Sequence, residues 1–106
     1  MADAISAAAE PTRRRLLQLL ATGPRTVGEL AEHFTETRPA ISQHLAVLAD
    51  AGLVTARKDG RQRFYSVVPA GITQLRAEID RFWSTELDLL VEDAGRITPQ
   101  PEEKRP

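Results

Sequence analysis

Within RPAISQHLAVLAD, residues 38–50, an arginine, a serine, a glutamine and a histidine stand among alanines and leucines. Each can make hydrogen bonds, but none is an obvious nucleophile or acid. A glutamine amide can pair with adenine through two bonds, an arginine fork fits guanine or a phosphate, and alanine methyls can meet the methyl of thymine. A second run, RKDGRQR at 57–63, holds Arg57, Lys58, Arg61 and Arg63 against the single acid Asp59. Such a cluster repels itself unless an external anion neutralises it. Other chemistries find little material. Cysteine is absent, and only His33 and His44 could offer imidazole, so thiolate sites and disulfides are excluded. Ser42 and His44 are two apart on a helical pattern and do not face each other, so they form no catalytic pair. There is no carboxylate pair, triad or phosphate-cradling glycine loop, and neither an enzyme nor a cofactor is expected.

The elements that must hold these residues follow from local signals. Residues 2–9 (ADAISAAA) read as a short alanine-rich helix with Ile5 as its apolar handle. Glu10-Pro11-Thr12 breaks it, and a second helix runs from about residue 11 to 21, ended by Gly23-Pro24, with Leu16, Leu17, Leu19 and Leu20 inward. Thr26 with Glu29 makes a capping box for a third helix carrying Val27, Leu30, Ala31 and Phe34. After Thr35-Glu36-Thr37, either threonine of which can cap, a fourth helix covers 38–51 and stops at Gly52. The short link between the third and fourth helices is that of a helix-turn-helix. At about 100° per residue, Ile41, Leu45 and Leu48 fall within about 60° and form a buried seam, which leaves Gln43 opposite. Ser42 flanks the exposed face, His44 lies nearer the boundary, and Thr37 and Arg38 stand at the tip that enters the major groove in this motif. A solvated Gln43, and a His44 that merely holds the helix turn by a hydrogen bond, are the plainer alternatives.

Asp59-Gly60 between two alternating runs signals a two-residue hairpin over 53–68, closed by Pro69. In that register Lys58 faces Arg61, Arg57 lies one step back, and Arg63 is opposite Ala56. Either the basic tip meets a phosphate backbone, or its charges guard a short edge against sheet pairing. From about 70 to 93 a long helix carries Ile72, Leu75, Ile79, Phe82, Trp83, Leu87 and Leu90 at helical spacing. The expected fold is therefore mainly α with a two-stranded β-wing, a winged helix-turn-helix DNA-binding domain over residues 1–93. A disordered tail is expected at 94–106, where three prolines lie among charges.

Charge is unevenly spread. The net charge is −1, yet residues 11–67 carry nine arginines and lysines against five acids, whereas residues 68–106 carry five against eight. A basic middle can steer a polyanion to one face of a nearly neutral chain. No apolar run approaches the length of about 18 residues that spans a bilayer, and no signal peptide opens the chain, so a cytoplasmic protein is expected.

Taken together, EPTRRRLLQLL, TVGELAEHF, TRPAISQHLAVLADAGLV and RKDGRQRFYSV strongly resemble the ArsR/SmtB family of winged-helix repressors, from about residue 4 to residue 91. The resemblance implies a homodimer on a palindromic operator in double-stranded DNA, repressing its own or adjacent genes. The fourth helix (Thr37, Arg38, Ser42, Gln43, His44) would lie in the groove, and the wing (Arg57, Lys58, Arg61, Arg63) would follow the backbone. Family members that sense metal use cysteines at the start of the third helix, which correspond here to Thr26 and Gly28, or an Asp/His/Glu set on the last helix. This chain has no histidine after His44. The pattern is similar to the metal-independent, SdpR-like branch and leaves room for a small-molecule inducer.

In the long helix, Ile72, Leu75, Ile79 and Phe82 can pack on the core, while Trp83, Leu87 and Leu90 extend beyond it. With Ile5, the residues Ile79, Phe82, Trp83, Leu87 and Leu90 make the expected dimer surface. The alternative is a helix curling over its own core. The competing functional reading is a winged-helix interaction module that has given up DNA.

Overall fold

The computed structural model describes residues 3–96. Two compact units divide the chain within its last helix, one ending at Arg76 and the other beginning at Ala77. The first unit contains α1 (Ala4–Ala9), α2 (Pro11–Leu20), β1 (Arg25–Thr26), α3 (Val27–Ala31), α4 (Arg38–Asp50), β2 (Val54–Asp59), β3 (Gln62–Val67) and the start of α5 (Pro69–Arg96). The fold is mostly helical with a small antiparallel wing.

Each of the first four helices begins at a side-chain cap, which satisfies backbone N–H groups that have no partner within the helix. Asp3 accepts from the Ser6 amide at 3.2 Å and Glu10 from the Arg13 amide at 2.8 Å, with Pro11 in the first turn. Thr26 and Glu29 form both bonds of the capping box, at 3.1 and 2.8 Å. Thr37, rather than Thr35, caps α4 by accepting from the Ala40 amide at 3.3 Å. The core joins Leu16 and Leu20 of α2 to Leu30 of α3, the seam Ile41, Leu45 and Leu48 of α4, and Leu53. Leu17 is only half-buried.

Three features of the sheet differ from expectation. First, it has three strands in the order β1-β3-β2, because Arg25 and Thr26 pair with Tyr65 and Phe64. Second, the hairpin turns one residue later than expected. Lys58 is opposite Arg63, Arg57 opposite Phe64, Ala56 opposite Tyr65, and Asp59 opposite Gln62. An Asp59-Gly60 turn of type I′ needs positive φ at both residues. Here Gly60 alone takes it, at +65°, and among the described residues none other than glycine has positive φ. Gly60-Arg61 therefore forms the loop, with glycine in the first central position that a II′ turn requires. Third, Pro69 does not merely close the hairpin but starts α5, as proline's fixed φ and missing N–H suit a helix's first turn.

The wing is tied at its base. The Leu53 amide donates to Leu48 O at 3.0 Å, and the Val68 amide to Leu53 O at 2.9 Å. Gly52, at φ +81°, turns the chain from α4 into β2. Gly71 packs so closely on this turn that a Cβ there would lie 2.0 Å from Gly52 O.

The second unit continues α5 to Arg96, three residues beyond the expected end at 93; the rest of the expected tail, 97–106, lies outside the described residues. At about 100° per residue, Ile79, Trp83, Leu87, Leu90 and Val91 share a stripe about 120° wide, and Phe82 and Leu89 stand to one side with Glu86 between. Phe82 meets Trp83 edge-on, with ring centroids 5.4 Å apart. Phe82, expected both to pack on the core and to join the dimer surface, is 50% exposed, with the Trp83 ring as its aromatic contact among the described residues.

Candidate nucleic-acid interface

Helix α4 is held from behind by its seam and from the side by the first turn of α2. Ile41, Leu45 and Leu48 have no solvent exposure. Thr12 Oγ1 donates to Glu36 Oε2 at 2.7 Å, which fixes the turn leading into α4. One residue on, Arg13 donates from Nε to Ala7 O at 2.7 Å and contacts His44 Nδ1 at 3.1 Å. A guanidinium can only donate, so Nδ1 is the acceptor and the ring proton sits on Nε2. Glu10 Oε1 lies 3.9 Å from the same nitrogen. That contact is secondary, because Nδ1 cannot accept from Arg13 and also carry a proton to Glu10. His44 is thus half-buried, and its bond runs to α2 rather than along its own helix turn.

The opposite side of α4 faces solvent. Gln43 and Ala46 are exposed, Ala40 and Ser42 half-buried, and Thr37 and Arg38 exposed at the tip. The Arg38 guanidinium lies over Gly28 of α3, so closely that a Cβ on Gly28 would come 2.7 Å from its Nη2. In the wing, Arg57, Lys58, Arg61 and Arg63 are all exposed. Lys58 and Arg63, directly paired, share one face of the hairpin with Ala56 and Tyr65, whereas Arg57 and Phe64 share the other.

The wing and the head of α4 enclose a cleft of about 330 Å³. Arg38, Arg61 and Arg63 line it with Gln62 and Tyr65, and Thr26 to Gly28 form its floor. The structure therefore brings Arg38 of the α4 tip together with two wing arginines, while it separates Arg57 and His44 from them. Sequence reasoning missed Thr12, Arg13 and Glu36, whose pairings join segments far apart along the chain. It also missed Arg25, which donates to Leu19 O at 3.3 Å and Thr22 Oγ1 at 2.8 Å and so anchors β1. The proximity of Arg13 to His44 has no local sequence signal. Among the described residues no cluster of histidine, cysteine and carboxylates could hold a metal. None of their helices is long and apolar enough to cross a membrane.

The sequence model of the family described as "Bacterial regulatory protein, arsR family" matches residues 10–56, from the cap of α2 into β2. The HTH-type transcriptional regulator Rv2034 of Mycobacterium tuberculosis is 48% identical over 81 residues, which cover 76% of each chain. The chain belongs to the arsR family. It is a DNA-binding transcriptional regulator of the repressor class, with a winged helix-turn-helix fold, and its relatives are regulators rather than enzymes. Other arsR-family comparisons agree. The transcriptional repressor SdpR of Bacillus subtilis is 39% identical over 67 residues, covering 63% of this chain and 74% of its own. The crystal structure of a protein described as a "possible transcriptional regulator for arsenical resistance" superposes with a TM-score of 0.78 at 61% identity. That alignment covers 89% of this chain and 98% of the other.

Proposed function

We propose that this arsR-family chain works as a cytoplasmic homodimer that represses its own or adjacent genes by covering a palindromic operator, without sensing metal. The observation that carries this reading is the two-sidedness of α4. Its seam is fully buried, while Gln43 is exposed on the other side, as are Arg38 at the tip and the four basic residues of the wing. Gln43 reads a base edge, Thr37, Arg38 and Ser42 contact the adjoining bases and phosphates, and Arg57, Lys58, Arg61 and Arg63 follow the backbone. His44 acts from behind, by holding α4 against α2.

Dimerisation is supported by the second unit, where Trp83, Leu87 and Leu90 are 54%, 53% and 59% exposed along one stripe. Apolar area of that kind marks an interface. Ile79, half-buried, and Phe82 complete the proposed surface of this unit, and Ile5 of the first unit, also half-buried, is proposed as a separate partner contact. A two-fold pair sets two α4 helices about 34 Å apart, one turn of DNA.

Metal independence is supported by the work that Thr26 and Gly28 perform instead: one caps α3 and the other makes room for Arg38. The chain also contains no cysteine. The test is a mobility shift on the DNA upstream of its own gene across a salt series. Retardation whose log–log salt slope reflects several neutralised phosphates, at about 0.9 per phosphate, supports the reading. Indifference to DNA at low salt overturns it and leaves the interaction-module alternative. Zinc, cadmium or arsenite added to the complex is expected to leave the affinity unchanged.

A further inference from the structure

We propose that the cleft between the wing and the head of α4 is a seat for the phosphoryl group of a free phosphorylated small molecule, which competes there with the DNA backbone. The inference rests on the DNA-binding reading above only for the competition, and not for the seat itself.

Three arginines, Arg38, Arg61 and Arg63, line the same space of about 330 Å³, and among the described residues no acidic one lines it. That volume suits a small ligand. The charge is self-repelling as built, since Lys58 stands directly across the ladder from Arg63. The Arg38 guanidinium lies against Gly28 at the cleft wall, where a Cβ would come 2.7 Å from its Nη2. Tyr65 and Gln62 add neutral polar groups to the wall.

The number of forks selects the ligand class. One guanidinium saturates a carboxylate through two parallel bonds. Three arginines lining one space call for an anion with more than two acceptor oxygens and more than one charge, which a terminal phosphoryl or pyrophosphoryl group supplies. A backbone phosphodiester offers only two non-bridging oxygens and a single charge. The free species is therefore the better electrostatic match, and its seat adjoins the Arg38 tip that enters the groove.

The probe is inorganic pyrophosphate added to the full chain without DNA, at ionic strength held constant with chloride. It is followed by 1H–15N spectra of backbone amides and arginine Nε groups. Saturable shifts confined to Gly28, Arg38, Arg61, Arg63 and Tyr65 are expected. Arg63→Gln, at an exposed position that leaves the fold intact, should weaken the affinity about tenfold, the loss of one charge-assisted hydrogen bond. Arg15→Gln, on the exposed side of α2, should leave it unchanged. Shifts that fail to saturate, or that spread evenly over Arg14, Arg15 and Arg57, reveal only an ionic atmosphere and overturn the proposal. In a second arm, pyrophosphate at constant ionic strength should displace operator DNA with an inhibition constant equal to the directly measured one. If DNA perturbs the cleft residues but pyrophosphate does not, the seat belongs to the backbone alone and the proposal fails. A chain that binds pyrophosphate but no DNA would sink the repressor reading and leave the seat standing.

Discussion

Gln43 and Arg13 serve α4 from opposite sides, and they should fail in different ways. Gln43 is exposed and lies opposite the buried seam, so truncation removes hydrogen bonds without disturbing the core. Gln43→Ala is expected to cost about 1–3 kcal/mol on the operator, to relax base preference at one position per half-site and to leave stability unchanged. Binding measured on operator variants checks this. Arg13 joins Ala7 O to His44 Nδ1 and so braces α4 against α1 and α2. Arg13→Ala should lower stability by about 2 kcal/mol, the scale of lost charge-assisted hydrogen bonds, and weaken DNA binding because α4 loses its lateral support. The salt slope separates the two roles. A residue that neutralises a phosphate lowers the slope by about one unit when removed, whereas Arg13→Ala should leave it unaltered. The exposed side of α4 was legible from periodicity alone, since three apolar residues fix the phase of the wheel. The Arg13–His44 contact was not legible, because it depends on where two helices meet.

The helices announce themselves through residues within one turn of each end: Asp3, Glu10-Pro11, Thr26 with Glu29, and Thr37 are each capping signals read over three or four positions. The sheet depends on partners remote in sequence, and there the local signals ran out. Two residues of β1 are too few to show alternation, and they form a strand only because β3 offers a free edge. Asp-Gly marks a turn without fixing its phase. Placing the loop at Gly60-Arg61 confines positive φ to glycine, and so avoids the left-handed strain that Asp59 would bear. The one-residue slide moves Arg63 from opposite Ala56 to opposite Lys58 and concentrates charge at the wing tip. A second element-level constraint is Gly71. A methyl group there would meet Gly52 O within 2.0 Å, and neither partner is a side chain that can swing away. Gly71→Ala should therefore push the start of α5 off the α4–β2 turn and cost about 1–3 kcal/mol, the range for overpacking. Gly95→Ala, whose Cβ meets nothing, should be neutral or mildly stabilising because alanine is the better helix former. Thermal melts of the two variants side by side make the comparison.

At the scale of the whole chain, charge and apolar surface divide the labour. The basic excess lies between residues 11 and 67, which include α4 and the wing, and the acidic excess lies beyond. An acidic last helix is poorly suited to a polyanion, and its exposed apolar stripe of Trp83, Leu87, Leu90 and Val91, bordered by Glu86 and Asp88, is the surface proposed for self-association. Burying such a stripe recovers about 25 cal/mol per Å² of apolar area, a gain available only to a second copy or another partner of like character. Leu87→Asp puts a charge in the middle of that stripe. Because Leu87 is 53% exposed, the change should leave the fold of the first unit undisturbed while shifting the sedimentation profile toward monomer. Operator affinity then falls with dimer stability, since one α4 per molecule loses the second half-site. The decisive signature is concentration dependence: raising the protein concentration restores binding by the variant if dimerisation is what was lost, and does not if DNA contact was lost directly. A Leu87→Asp chain that still sediments as a dimer would remove this stripe from the interface.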